Sequence, residues 1–378
     1  MDSPRNVRGI EVPTLSVRPE IPRGGGVHMQ STSNTTIAVD LAKSVFEVAV
    51  SHRPGAVAKR HRLSRSRFAR FLAEQAPATI VMEACGTAHY WAREAQARGH
   101  EVRLLPPRDV RPYVQRNKTD RADAKGILEA DRNEDIRPVP VKSVEQHALT
   151  GLHRMRSTWV ATRTARLNTV RGLLRELGLT IPVGSRQVVP HVWALISDTD
   201  SGVPDTLRPV LAEAAREIGD LERRIADVES QLEGIAHKSE LIVRLRTVPG
   251  VGLLTATALV ASIGDVKRFP SGRHFASSLG LTPREASSGN HRRLGRITKR
   301  GDPYLRTLLI HGGRSVLHHA KRSTNPDRLR AWAVDRERAC GHNKAAIALA
   351  NKLARTVWAV WTKEENYQSF PARAGGNV

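Results

Sequence analysis

The chain has 378 residues and a mass of 41.7 kDa, more than one compact domain usually needs. Its 60 Lys and Arg against 37 Asp and Glu leave a net charge of +23, which self-repels unless a polyanion accompanies it, so nucleic acid is the expected partner. Of those cations 48 are Arg, whose planar fork suits phosphate and guanine edges, although a G+C-rich genome would raise the Arg share equally well. Two cysteines, Cys85 and Cys340, exclude a disulfide framework, no CxxC accompanies a His cluster for zinc, and a cytoplasmic location is expected. No window approaches the roughly 18 apolar residues a membrane span needs, so membrane and secreted readings drop out.

Residues 1–33 are rich in Pro, Gly, Ser and Arg without periodicity and read as a disordered tail, with Met29 as an alternative start. Residues 34–142 read as a first domain. Thr35 to Asp40 is a β-branched run ending in a carboxylate, Val45 to Val50 alternates, and Ala56 to Leu63 forms a third strand. A helix over 65–75, a buried strand at Thr79 to Met82, a helix over 88–98 and a strand over 101–105 complete the order β-β-β-α-β-α-β-α. That order is similar to ribonuclease-H-like nucleases, an α/β mixed sheet.

Residues 143–240 read as a helical region. Over 143–180 an apolar stripe accompanies Arg154, Arg156, Arg163 and Arg166, expected to meet phosphates, with a solvated basic face as the alternative. Leu207, Leu211, Ala214, Ile218, Leu221, Ile225, Val228, Leu232 and Ile235 then follow heptad a and d spacing. A coiled coil that self-associates is expected; a hairpin with the 143–180 helix would satisfy the same pattern. Residues 241–363 read as a mainly helical C-terminal domain, and 364–378 as a frayed tail. Pro249-Gly250-Val251-Gly252 before a helix over 253–263 resembles a helix-hairpin-helix turn, in which Gly250 and Gly252 let backbone N–H groups approach a phosphate; a tight packing turn is the alternative.

Two constellations carry chemistry. Asp40 and Glu83 close two strands that converge at one crevice, and Asp120 and Asp123 stand three apart at a helix start. Four crowded carboxylates repel one another unless divalent cations sit between them, and hard oxygen ligands suit Mg²⁺ or Mn²⁺. Singly, Asp120 reads as a helix N-cap and Asp123 as a partner of Arg121 or Lys125. The second constellation is a basic loop in which Ser287, Ser288 and Gly289 precede Arg292, Arg293, Arg296, Lys299 and Arg300. On composition alone it reads as a phosphate-binding loop with a serine turn, because no base relay is visible beside the serines; His291 is a base or a phosphate contact.

Ala38-Val39-Asp40 with Lys43, Met82-Glu83-Ala84-Cys85-Gly86, Lys118-Thr119-Asp120-Arg121-Ala122-Asp123-Ala124, Pro249 to Gly252, Leu279 to Pro283, and Ser287-Ser288-Gly289 through Gly295 to Gly301 occur in that order over about residues 35–320. Together they resemble the DEDD transposases of bridge-RNA-guided bacterial insertion sequences. The resemblance implies a RuvC-like N-terminal domain, a dimerising coiled-coil linker and a C-terminal transposase domain with a serine nucleophile. It implies that Asp40, Glu83, Asp120 and Asp123 bind Mg²⁺ or Mn²⁺, and that Ser288, with Ser287 as fallback, attacks a DNA phosphodiester to form a phosphoserine. It further implies an active site composed between subunits of a dimer or tetramer, donor and target DNA as substrates, a noncoding bridge RNA that selects them, and a nucleoid-associated location in a bacterial cytoplasm.

Three competing readings remain open at this level. A structure-specific nuclease of Holliday-junction-resolvase type would use the four carboxylates and water alone. An architectural nucleic-acid-binding protein would need neither constellation, and an actin-like sugar kinase lacks its glycine phosphate loops here and sits badly with +23.

Overall fold

The computed structural model describes residues 35–54, 56–114 and 120–371, with the side chains of Asp120 and Arg121 outside the description. The expected 1–33 tail, Met29, Lys118 and Thr119 therefore lie outside the described residues. Two compact units form. The first comprises the described residues up to Glu83 with Glu94–Val102 and Arg108–Asp135; the second comprises Ala84–Arg93, Arg103–Pro107 and Ile136 onward.

In the first unit β1 (Thr36–Leu41), β2 (Val45–Ser51) and β3 (Lys59–Ser64) run antiparallel, followed by α1 (Arg65–Glu74) and by β4 (Thr79–Glu83), which pairs parallel to β1. After α2 (Ala88–Gln96), β5 (Glu101–Leu105) completes a five-stranded mixed sheet in the order β3-β2-β1-β4-β5. The short α3 (Pro107–Val110) precedes α4 (Asp120–Asp131). The expected element order holds; the third strand starts three residues later than read, at Lys59, after the Arg53–Ala56 bridge. Ile37, Ala38, Val39, Ile80, Val81 and Met82 are completely buried, as two apolar central strands require. Phe46 and Phe68 lock α1 onto the sheet edge to face, with ring centres 5.2 Å apart. Buried His100 accepts from Ala78 N–H (3.2 Å) at Nδ1 and donates from Nε2 to Leu72 O (2.9 Å), tying β5 to the end of α1.

From α5 onward the second unit is helical apart from one hairpin. α5 (Val144–Glu176) opens with a capping box in which Ser143 and Gln146 bond each other's backbone N–H, and is followed by α6 (Val188–Ser197) and α7 (Arg208–His237). Then come α8 (Glu240–Arg246), α9 (Leu253–Ile263), α10 (Gly272–Ser278), the hairpin β6 (Pro283–Glu285) and β7 (Leu294–Ile297), α11 (Pro303–Ala320), α12 (Arg328–Cys340) and α13 (His342–Lys363). α13 is the hub: it packs against α8, α10, α11 and α12 and buries Leu349, Leu353 and Val357 completely.

Two expectations are corrected here. The heptad stripe of α7 is filled within the chain: Leu211, Ile218, Leu221, Ile225, Val228 and Leu232 are buried against α5, α6, α8 and α9, while Ile235 stays 39% exposed and Ala236 takes its place. An intramolecular helical hairpin thus uses the surface that a self-associating coiled coil would have needed. The segment after α13 is also not frayed throughout, because Arg328 N donates to Phe370 O (2.9 Å) and Tyr367 N to Thr247 Oγ1 (2.8 Å); residues 372–378 lie outside the description.

Candidate active site and nucleic-acid interface

Strand register positions the carboxylates. In β1 and β2 Asp40 stands opposite Glu47, and in β2 and β3 Glu47 stands opposite Arg62. The parallel β1–β4 ladder ends with Val39 opposite Met82, so Asp40 and Glu83 are the next residues on adjacent strands. One level of the sheet therefore carries Arg62, Glu47, Asp40 and Glu83 in a row. Like charges directly opposite each other repel, and Arg62 Nε offsets Glu47 Oε1 at 3.5 Å. α4 packs against β1, β2 and β4, bringing half-buried Asp123 to the same three strands that end in the row. Glu47 and Arg62 escaped the sequence reading; the signal was a charge inside the otherwise apolar alternation Val45-Phe46-Glu47-Val48-Ala49-Val50.

Among the described residues, no three His, Cys, Asp or Glu side chains by themselves form a group able to hold a metal ion. The donors nevertheless fit one chemically. Asp40 and Glu83 are half-buried hard-oxygen ligands that follow buried apolar residues, Asp123 is a half-buried one on α4, and the expected fourth ligand, the Asp120 carboxylate, lies outside the description.

The basic serine loop is the β6–β7 hairpin, exposed from Pro283 to Arg296. Ala286 N donates to Arg293 O (3.0 Å), and Ser288 and His291 exchange both backbone bonds, at 3.3 and 3.1 Å, across a two-residue turn. Gly289 takes φ 54° at the first turn position, as a II′ turn demands. The two serines differ. Ser287 Oγ donates to Glu285 Oε1 (2.8 Å) and accepts from Arg293 N (3.1 Å), so it staples the hairpin. Among the described residues Ser288 Oγ has no hydrogen bond, and it sits at the tip between Ser287 and Gly289. Arg292 is 3.5 Å from Glu285, while Arg293, Arg296, Lys299 and Arg300 have no carboxylate partner among the described residues. His291 contributes backbone to the turn.

The hairpin base is tightly built. Thr298 N donates to Thr282 O (2.9 Å), Lys299 N to Gly280 O (3.2 Å), and Arg306 Nη1 to both Leu279 O and Arg300 O at 3.2 Å. Gly280 and Gly301 have φ of 70° and 82°; a Cβ on Gly280 would overlap the Arg300 backbone and one on Gly301 would overlap Ser278 O. Gly301→Ala is expected to cost about 3 kcal/mol locally. Limited proteolysis should then cut residues 286–296 faster than in the parent, with the helices intact by circular dichroism.

The remaining predicted contacts divide. Arg156, Arg163 and Arg166, expected to meet phosphates, instead pair across the antiparallel α5–α7 hairpin with Glu229 (2.6 Å), Glu222 (3.8 Å) and Glu217 (2.8 Å). The glutamates placed outside the heptad stripe of α7 meet them at matching register, which the isolated α5 sequence could not show. Arg154 is exposed and has no such partner among the described residues. Gly250, at φ 80°, serves packing: a Cβ there would come within 2.6 Å of Gly312 O on α11, whereas Gly252 is exposed at the start of α9.

A polar anchor unforeseen from sequence holds three helices of the second unit. Thr257 of α9 donates to Leu253 O (2.7 Å), so its oxygen accepts from His153 Nε2–H of α5 (3.0 Å), and His153 Nδ1 accepts from the Tyr304 hydroxyl of α11 (3.0 Å). Burial, and then Arg156, lowers the His153 pKa to about 4 from the ordinary 6.5. A folded-state value below the unfolded one means that the native state binds fewer protons. The stabilisation is complete above pH 6.5 and fades as pH falls toward 4, by about 3 kcal/mol for this one group. His89 is shifted the same way, to about 4, by burial and then Lys142, His147 and Arg93. Urea unfolding should show falling midpoints from pH 7 to 4.5, and His153→Gln, less stable at pH 8, should show a flatter decline.

The sheet order and its carboxylate row define the first unit as a RuvC-like DEDD domain, followed by a mainly helical region bearing a basic serine hairpin. Residues 37–178 match the DEDD_Tnp_IS110 transposase family, and residues 243–328 match the family described as Transposase IS116/IS110/IS902. The chain is 43% identical over 336 residues to a probable family 20 transposase of Pseudomonas aeruginosa, covering 88% of this chain and 98% of the relative. It is 38% identical to the transposase for insertion sequence element IS1111A of Coxiella burnetii, covering 88% and 91% respectively. It is 34% identical to the transposase for insertion sequence element IS1328 of Yersinia enterocolitica, covering 87% and 97%. The chain belongs to the IS110/IS116 family of insertion-sequence transposases and is a DNA transposase. No described helix is long and apolar enough to cross a membrane.

Proposed function

We propose that this transposase cuts and rejoins DNA through a phosphoserine on Ser288. The observation that carries the reading is the contrast within the hairpin: Ser287 Oγ is held by Glu285 and Arg293, whereas Ser288 Oγ has no hydrogen bond among the described residues and stands at an exposed tip. Ser288 Oγ loses its proton and forms a bond to a DNA phosphorus, the bridging P–O bond on the far side breaks, and the departing deoxyribose oxygen takes up a proton in its place. Rejoining reverses the exchange with another strand's hydroxyl and returns the serine. Arg292, Arg293, Arg296, Lys299 and Arg300 hold the phosphate and offset the charge that builds on its oxygens.

Asp40, Glu83, Asp120 and Asp123 would hold Mg²⁺ or Mn²⁺, which when bound polarises a phosphodiester. Ser288 Oγ is hydrogen-bonded to no base among the described residues, so the carboxylates of one subunit meet the serine hairpin of another in a dimer or tetramer. A bridge RNA selects donor and target by pairing; the scattered Arg side chains suit backbone recognition of such duplexes.

The test mixes the protein with Mg²⁺, the RNA encoded beside its element and supercoiled DNA carrying the element junction. DNA covalently attached to protein on a denaturing gel supports the reading; DNA cut without an adduct overturns it in favour of a water-using nuclease. Omitting the RNA should abolish the adduct.

A further inference from the structure

Besides those of the serine hairpin, a second group of cations without carboxylate partners among the described residues lies away from α5. α10, α12, α13 and the segment after α13 enclose a groove of about 1400 Å³. Its lining includes Arg273, Arg336, Lys344, Lys352, Arg355 and Lys363, and Glu365 is the single carboxylate among the described lining residues. None of the six cations has a carboxylate partner among the described residues, in contrast to the paired arginines of α5. On α13, Lys344 and Lys352 are eight residues apart, as are Arg355 and Lys363, about 12 Å of helix rise in each case. Ala348 and Ala359 lie between them in the same lining, leaving room above the helix.

Aromatic rings stand among these charges. Lys352 Nζ lies 4.2 Å from the Trp332 ring centre and the Arg336 guanidinium 5.5 Å from it, while Tyr367 and Phe370 line the groove from the terminal segment. Burial, and then Arg328 and Arg355, lowers the Lys352 pKa, and this ammonium has no carboxylate partner among the described residues. Flat rings within a cationic groove suit unpaired bases on a phosphate backbone, since every base has a stackable face. At one edge the groove is lined by Pro283 and Ile297, which face each other at the base of the serine hairpin.

We propose that this groove binds a single strand of DNA and leads it to the hairpin that carries Ser288. The choice of DNA and its path rest on the phosphoserine reading; the binding itself does not. Lys344, Lys352, Arg355 and Lys363 contact phosphates spaced along the strand, and Trp332 and Tyr367 receive unstacked bases.

The experiment uses the full chain carrying Ser288→Ala in EDTA, so that loss of the phosphoserine reading leaves its readout intact. Fluorescence anisotropy follows a fluorescein-labelled oligo-dT of 20 nucleotides, the matching 20-base-pair duplex and oligo-U. Combined Lys344→Ala, Lys352→Ala, Arg355→Ala and Lys363→Ala should weaken oligo-dT binding at least about thirtyfold at 150 mM salt. The salt slope should shrink by about 0.7 per cation removed. Trp332→Leu alone should weaken it about tenfold. Iodo-deoxyuridine in the oligonucleotide should photo-cross-link to Trp332 or Tyr367. Circular dichroism melts check that each variant is folded. Variants that bind oligo-dT like the parent, cross-links confined to other residues, or tighter binding of the duplex or of oligo-U through the same cations would each overturn the proposal.

Discussion

Ser288→Ala is expected to eliminate the covalent protein–DNA adduct and to lower strand cleavage at least about 10³-fold, while Ser287→Ala leaves adduct formation detectable. The hairpin geometry makes the two variants unequal. Removing Ser288 Oγ breaks no hydrogen bond among the described residues, so the turn closed by Ser288 N and His291 O should persist and the loss should be purely chemical. Removing Ser287 Oγ deletes the bond to Glu285 and the acceptor for Arg293 N, which loosens the hairpin and releases a carboxylate next to Arg292. Its effect should therefore resemble a positioning defect, about ten- to a hundredfold. An adduct that survives Ser288→Ala and disappears in Ser287→Ala would reverse the assignment, and mass spectrometry of the trapped peptide would identify the serine directly.

Asp40→Asn is expected to abolish cleavage by a similar factor and to weaken Mn²⁺ binding, measured by electron paramagnetic resonance of the unbound ion. The substitution keeps size and hydrogen-bonding capacity but removes one anionic ligand from a row where Glu47, Asp40 and Glu83 stand on consecutive strands. Thermal denaturation without metal, compared with the parent, separates lost activity from loss of folding. Asp123→Asn should behave alike because α4 packs on the same strands. Glu47→Gln gives the contrast: its carboxylate is offset by Arg62, and Mn²⁺ affinity should fall much less than in Asp40→Asn. Equal Mn²⁺ binding by the parent and Asp40→Asn would remove the carboxylate row from the metal reading.

Much of the first unit was legible in the sequence because its elements announce themselves locally. β-branched runs ending in Asp40 and Glu83 are strands with a carboxylate at one end, and a period of two leaves little freedom about which side chains share a face. The ordered motifs carried the family, and the comparisons agree with it. The helix over 253–263 was equally plain, bounded by Gly252 and Gly264.

What the sequence could not decide is how each surface is spent. The α7 heptads specify an apolar stripe but not whose stripe covers it; α5, α6, α8 and α9 cover it within one chain. The arginines of α5 carry the same charge whether they face phosphate or glutamate, and only the antiparallel register of α7 settles that Arg156, Arg163 and Arg166 face Glu229, Glu222 and Glu217. Gly250 looks like a phosphate turn until Gly312 is seen against it. Four cations without a carboxylate partner among the described residues line one groove from α13, a helix whose sequence reads as ordinary amphipathic packing. Local pattern determines element type and which face is apolar, because those depend on neighbours within a turn or a pleat. Pairing of charges and burial of stripes depend on residues tens to hundreds of positions away, so those were decided only when the chain folded.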